Sequence, residues 1–324
     1  MLMTIAAVAL LLQATPTPPT PPVMRTPRPK VKVHAPEAPE APRRYNSRDD
    51  DQSGLLRDTT IAVREGQRLE VSNFSGSITV TTWNENKVRV QSASSSDPFE
   101  VDVGSITVDV NSRGGRYGGP GDAELTIQVP AWMDLDLSGN EVDITIRGTR
   151  GAVSASTVQG RVSIDGGEGS VEATSVEGDI DLSNVKGRVE VSTTEGQITV
   201  TNASGDALDL ESVDGDIEMT GITSLNLSAN TVDGRISWAG TLAPTGSYRF
   251  SSHDGDVVLR ISGEPDATIS VDTYDGSLDS DWPLTIKPGG RSSNRKTFTL
   301  GNGRARVELS SFDGNISLRR ATAR

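Results

Sequence analysis

Thr174–Leu182 reads TSVEGDIDL, and close variants of the phrase recur down the chain, as SVDGDIEM at 212–219 and TVDGRISW at 231–238. Eight strong copies align on their glycines, at 160, 178, 196, 215, 234, 255, 276 and 314. Two residues after glycine stand Val162, Ile180, Ile198, Ile217, Ile236, Val257, Leu278 and Ile316, all aliphatic. Four after, the column is apolar in every copy but one, Ser280. Two before stand Val158, Val176, Thr194, Val213, Val232, His253, Tyr274 and Phe312. Apolar residues at a spacing of two mark the buried face of a strand, so the column before glycine and the two after it read as one inward face. Glycine shares that parity, as expected where a bend leaves no room for a side chain.

The opposite parity is equally regular. Three before glycine every copy has Ser or Thr, and one before stand Gln159, Glu177, Glu195, Asp214, Asp233, Asp254, Asp275 and Asp313. These two rows read as outward-facing. The motif is [ST]-x-[DE]-G-x-[VIL]-x-apolar, and glycines also recur every nine residues from 151 to 205. Strict self-similarity at a short period is the signature of a solenoid, because each unit buries its apolar face only against its neighbours. A meander of Asp-Gly hairpins has no reason to hold equivalent columns. The expected fold is all-β: a parallel β-solenoid of about 18–21 residues per coil over residues 148–320. The long last interval leaves room for an inserted loop near 279–296. Residues 58–147, with strands such as SITVT at 77–81, read as a less regular N-terminal β cap.

Met1–Leu12 is an apolar run too short to span a bilayer and suited to the core of a secretory signal peptide, expected over residues 1–14. Residues 15–57 read as a disordered, proline-rich linker: ten of the chain's 17 prolines fall between Thr15 and Pro42. Export to the periplasm, cell envelope or exterior is therefore expected. The formal net charge is −13, and residues 1–57 carry eight Lys/Arg against five Asp/Glu, so the acidity lies in the repeats. Such a body repels phosphate backbones and argues against nucleic-acid binding. No second apolar segment has spanning length, and the absence of cysteine excludes disulfides and thiolate metal sites.

VSNFSGSITVTTWNENKVRVQ from residue 71, ELTIQVPAWMDLDLSGNEVDITIRGTRG from residue 124 and GSYRFSSHDGDVVLRI from residue 246 resemble the bacterial putative-adhesin family of β-strand-repeat proteins, a domain of unknown function. The likeness spans about residues 66–318. It implies a β-solenoid and an envelope location, and it transfers no catalytic residue.

Chemistry finds little foothold. The two histidines are His34 in the proline tract and His253, which reads as a packing side chain. No HExxH spacing, nucleotide-binding glycine loop or distinct nucleophile is present. Paired carboxylates cleave glycosides on some β-helices, but here every coil carries a similar acid, as structure alone would produce. No cofactor is expected. Stacked coils place Glu177, Glu195, Asp214, Asp233, Asp254 and Asp275 at strand spacing, where like charges repel. Loose Ca2+ binding along that row, or relief by Arg161, Arg188 and Arg235, would offset the repulsion. Trp238 reads as core, and Trp282, in the expected loop, as the aromatic best placed to stack on a sugar. The sequence thus points to an exported, non-enzymatic solenoid serving adhesion or scaffolding at the cell surface, with an envelope glycan or protein as partner. The alternatives are a polysaccharide-active enzyme on a β-helix and an envelope-stress component that binds a protein.

Overall fold

A computed structural model describes residues 58–93, 99–112, 122–284 and 295–321, all within one compact unit. The expected leader, linker and residues 285–294 lie outside them. The described residues form strands of one continuous sheet and no helix. Most pairs are parallel and join like to like: Val171 pairs with Val189, Val189 with Leu208, Leu208 with Leu227, and Leu227 with Tyr248. Each coil holds a longer strand before the corner glycine and a shorter one after it, as in Glu168–Glu177 and Ile180–Ser183. The parallel solenoid read from the glycine spacing is the observed fold.

The corner departs from the sequence reading. Simple alternation places Val176 inward and Ser175 outward; the structure has Ser175 2% exposed and Val176 41% exposed. The inward residues of this coil are Val171, Ala173, Ser175, Ile180, Leu182 and Val185. The step from 175 to 180 is odd, so parity inverts as the chain turns. The apolar column two before glycine is therefore an outer ridge, and the hydroxyl column is part of the interior.

Hydrogen bonding accompanies the inversion at five of the eight copies, whereas Ser175, Ser212 and Thr273 are turned inward without a partner. Corner-glycine carbonyls lie against the glycine of the adjacent coil, and carbonyls shut away from water need donors. Ser252 donates to the Gly234 carbonyl of the preceding coil at 3.0 Å, Ser311 to Gly255 at 3.0 Å and Thr231 to Gly215 at 3.2 Å. The corner glycine answers a second constraint. A Cβ on Gly178 would run into the carbonyl of Gly160 one coil away, and one on Gly187, at the nine-residue offset, into that of Gly169. Coils approach closely enough to bond because nothing projects there: the Gly178 N–H donates onward to Glu195 O at 2.8 Å.

The chain order of the coils is also not their order in space. The last coil, Ala305–Asp313 with Ile316–Arg320, is wedged between Ser247–Asp254/Val257–Ile261 and Ala267–Thr273/Leu278–Ser280. After the stretch expected as a loop, near 279–296, comes Lys296–Leu300, antiparallel on the far side of Ala267–Thr273. A turn at 301–304 carries the chain over the head of that strand. Asp266 fastens it, accepting from the Asn302 and Arg304 N–H groups at 2.8 and 3.2 Å and from the Arg304 guanidinium. The Arg304 hydrogen bond and these N–H groups hold the Asp266 carboxyl at about 2, well below the usual carboxylate range.

The N-terminal region mirrors this arrangement. Arg68–Trp83 runs parallel to Asp134–Thr149 on one side and to Thr107–Ser112 and Asp122–Pro130 on the other. Parallel coils thus begin at Arg68 rather than at 148. Capping falls to antiparallel strands: Phe99–Val103 on Thr107–Ser112, and Lys87–Ser92 with Asp58–Ala62 beside Asp122–Pro130.

Three outcomes follow for stability. Gly178→Ala forces a methyl into backbone rather than into a yielding side chain, and should cost roughly 2–4 kcal/mol, read as a lowered thermal midpoint. Ser252→Ala removes a buried hydroxyl together with its carbonyl bond and should cost about 1–2 kcal/mol. Ser175 Oγ is buried without a partner, so Ser175→Ala should change stability by less than about 0.5 kcal/mol. Equal losses at Ser175 and Ser252 in chemical denaturation would contradict the role given to the hydroxyl row.

Candidate binding ridge

The parity inversion turns the column two before glycine into a continuous outer ridge. Val158, Val176, Val213 and Val232 lie on it, 41–48% exposed, with exposed Thr194 among them. Because the last coil is wedged inward, the ridge ends in the spatial order His253, Phe312, Tyr274. These rings stack: His253 on Phe312 at 4.9 Å and 22°, and Phe312 on Tyr274 at 4.9 Å and 2°. Tyr274 is 71% exposed and Phe312 49%. An open hollow of about 350 Å³ runs beside the stack, lined by Ser251, Ser310 and Asp272 among others. At the other end Phe74, 45% exposed, occupies the equivalent place on Arg68–Trp83. Large exposed apolar residues in line, rimmed by polar groups, mark interaction surfaces.

His253 is therefore not a packing side chain; it faces solvent and caps a stack. Sequence reasoning missed the ridge because its column is apolar. A signal was present: Thr194, His253 and Tyr274 intrude there, whereas the buried column two after glycine holds only Val, Ile and Leu.

The carboxylate row lies directly beside the ridge. Register places Glu177 next to Glu195, then Asp214, Asp233, Asp254, Asp313 and Asp275. All are exposed. The coils thus spread these acids one per layer instead of closing them round a point, and among the described residues no three metal-ligating side chains converge. Gln159 Nε2 donates to Glu177 at 2.6 Å. Arg161 bonds Asp179 at 2.9 Å, one position past the corner glycine, and so does not neutralise the acidic row. Asp residues in that later column serve the backbone instead: Asp216 accepts from the Arg235 N–H at 2.7 Å and Asp256 from the Asn315 N–H at 2.8 Å.

A second run of acids crosses the first coils, where Asp102, Asp109, Glu70 and Asp136 sit opposite one another on adjacent strands. The hydrogen bond to Asp109 raises the Glu70 carboxyl above its usual range, with desolvation and the charges of Asp109 and Asp136 adding to it. Arg68, at 3.0 Å from Glu70, acts the other way.

Trp282 is not an exposed platform. It is 6% exposed, its Nε1 has no partner, and the Arg320 guanidinium lies 5.4 Å from its ring centroid. It closes the interior beneath the terminal coil, where an apolar ring is most stable out of water. Trp238 is core, packed 5.9 Å from Tyr248 and 6.2 Å from Phe250. Trp83 and Trp132 are half-buried, with their ring N–H groups bonded to Lys87 O and Asn86 Oδ1. No helix among the described residues is long and apolar enough to cross a membrane.

No curated protein matches the sequence. Three solved structures resemble the fold. A putative adhesin from Parabacteroides distasonis is 12% identical, over 81% of this chain and 95% of that one, with a TM-score of 0.47. A putative adhesin from Bacteroides fragilis is 13% identical over 82% and 98%, with a TM-score of 0.40. A putative cell adhesion protein from Clostridium sporogenes is 11% identical over 82% and 99%, with a TM-score of 0.20. The Toastrack DUF4097 profile matches residues 57–319, the whole array of coils and both caps, and the chain belongs to that family.

Proposed function

We propose that the chain is an exported, non-catalytic binding rod, serving adhesion or scaffolding at the cell envelope through its ridge. The observation that carries this reading is the unbroken line of exposed side chains from Val158 to the Tyr274 ring, repeated coil by coil beside the acids. A repeated surface suits a partner that lies along it, whereas catalysis needs a singular cluster of groups. The apolar leader at Met1–Leu12 supports export.

Expression of the full chain, followed by fractionation and purification of the mature form, tests both halves. The protein should leave the cytoplasm and bind isolated envelopes saturably. Val176→Asn/Val213→Asn, which alters exposed positions only, should weaken that binding at least roughly fivefold with an unchanged thermal midpoint. Retention in the cytoplasm would overturn the location. Release of new reducing ends from envelope polysaccharide would make the chain an enzyme and overturn the reading.

A further inference from the structure

We infer that the ridge is a docking track for a basic amphipathic α-helix of a partner protein, laid parallel to the rod axis with about one helical turn per coil. The inference rests on the reading of the ridge as the working surface and names the chemistry of its partner.

Three observations select that occupant. The first is spacing. Successive coils offer a ridge side chain about every 4.8 Å, the distance between neighbouring strands, and it is apolar or aromatic at every coil except those of Thr194 and His253. An α-helix brings side chains of one stripe round about every 5.4 Å, so three turns drift only about 2 Å against three coil steps, within the reach of a rotamer change. A strand repeats a face about every 6.6 Å and over three repeats slips by about 5.4 Å, more than one coil. A polyproline helix repeats about every 9.3 Å and touches only alternate coils.

The second is the backbone. Along the corner, peptide groups are committed to the coil ladder: the N–H groups of Gly178, Gly196, Gly215 and Gly234 all donate to the next coil. The ridge offers side chains alone, so it cannot complete a partner's open strand edge. A helix satisfies its own backbone and needs no such completion.

The third is charge. At seven of the eight coils an Asp or Glu stands immediately after the ridge residue, and Gln159 is the exception. A helix with an apolar stripe flanked by Lys or Arg meets apolar groups and carboxylates together on each turn. The same row opposes other occupants. A second copy would bring carboxylates against carboxylates, and an anionic lipid surface would be repelled.

The test is fluorescence anisotropy with labelled synthetic 21-residue peptides, about 31 Å long as a helix. One carries Leu at i, i+3, i+4 and i+7 with Lys along the flank, one has Glu in place of Lys, and one is the Lys peptide with two central prolines. The Lys peptide should bind, weakening as salt rises. Both Val176→Asn/Val213→Asn and Glu195→Gln/Asp214→Asn should weaken it about tenfold or more, each with an unchanged thermal midpoint. No binding by the Lys peptide would overturn the inference, as would equal binding by the Glu or proline peptide. Lys-peptide binding indifferent to the valine pair would also overturn it, as attraction to charge alone. If the valine pair loses envelope binding while the Lys peptide never binds, this inference fails and the function proposed above stands.

Discussion

At every corner from Gly178 onward a glycine lies against the carbonyl of the glycine in the adjacent coil, closer than any side chain permits, and at Gly160 the carbonyl is that of Val142. That approach is the constraint on which the remaining structure depends. It lets the chain turn between two parallel ladders without a loop, and it leaves the corner carbonyls lying between adjacent coils. Thr231, Ser252 and Ser311 of the Ser/Thr row donate to those carbonyls, while Ser175, Ser212 and Thr273 share the inward place without a bond. Burying that row inverts the parity, and the inversion lifts Val176 and its equivalents to the surface. A folding requirement at the corner thereby creates the protein's most distinctive surface.

Much of this was legible in the residues. Columns such as Ile180 and Leu182 identify a parallel stack because nothing but like-on-like packing keeps them aliphatic. The fault lay in carrying one parity through the glycine. Val176 and Ile180 are an even number apart and equally apolar, and hydrophobicity alone does not separate them. Ser175 would have been the clue, since a hydroxyl at every copy is more uniform than solvent exposure requires. The order of the last coils was hidden for another reason. Gly255 and Gly276 are 21 residues apart, the ordinary coil length, so sequence makes them neighbours, yet Gly314 lies between them. That arrangement depends on the Asp266 turn, a tertiary contact without periodic trace.

The wedged ends carry their own logic. A solenoid that stopped at its last repeat would leave an open strand edge, and such edges pair with other chains. Here the C-terminal coil is flanked on both sides, and Arg68–Trp83 is likewise enclosed at the other end. The outermost coils are covered by antiparallel strands. Trp282, placed by sequence in a loop, belongs to this closure: it fills the base of the rod where the repeat ends.

The inversion at the corner is open to direct measurement because the chain contains no cysteine, so a single introduced thiol reports only its own position. Ser175→Cys and Val176→Cys are labelled with a maleimide under native conditions and again after unfolding. The account predicts that Val176→Cys reacts at close to its unfolded rate while Ser175→Cys is slower by roughly a hundredfold or more, reacting only as the coil opens. Fast labelling of Ser175→Cys with protection of Val176→Cys would restore simple alternation and remove the ridge.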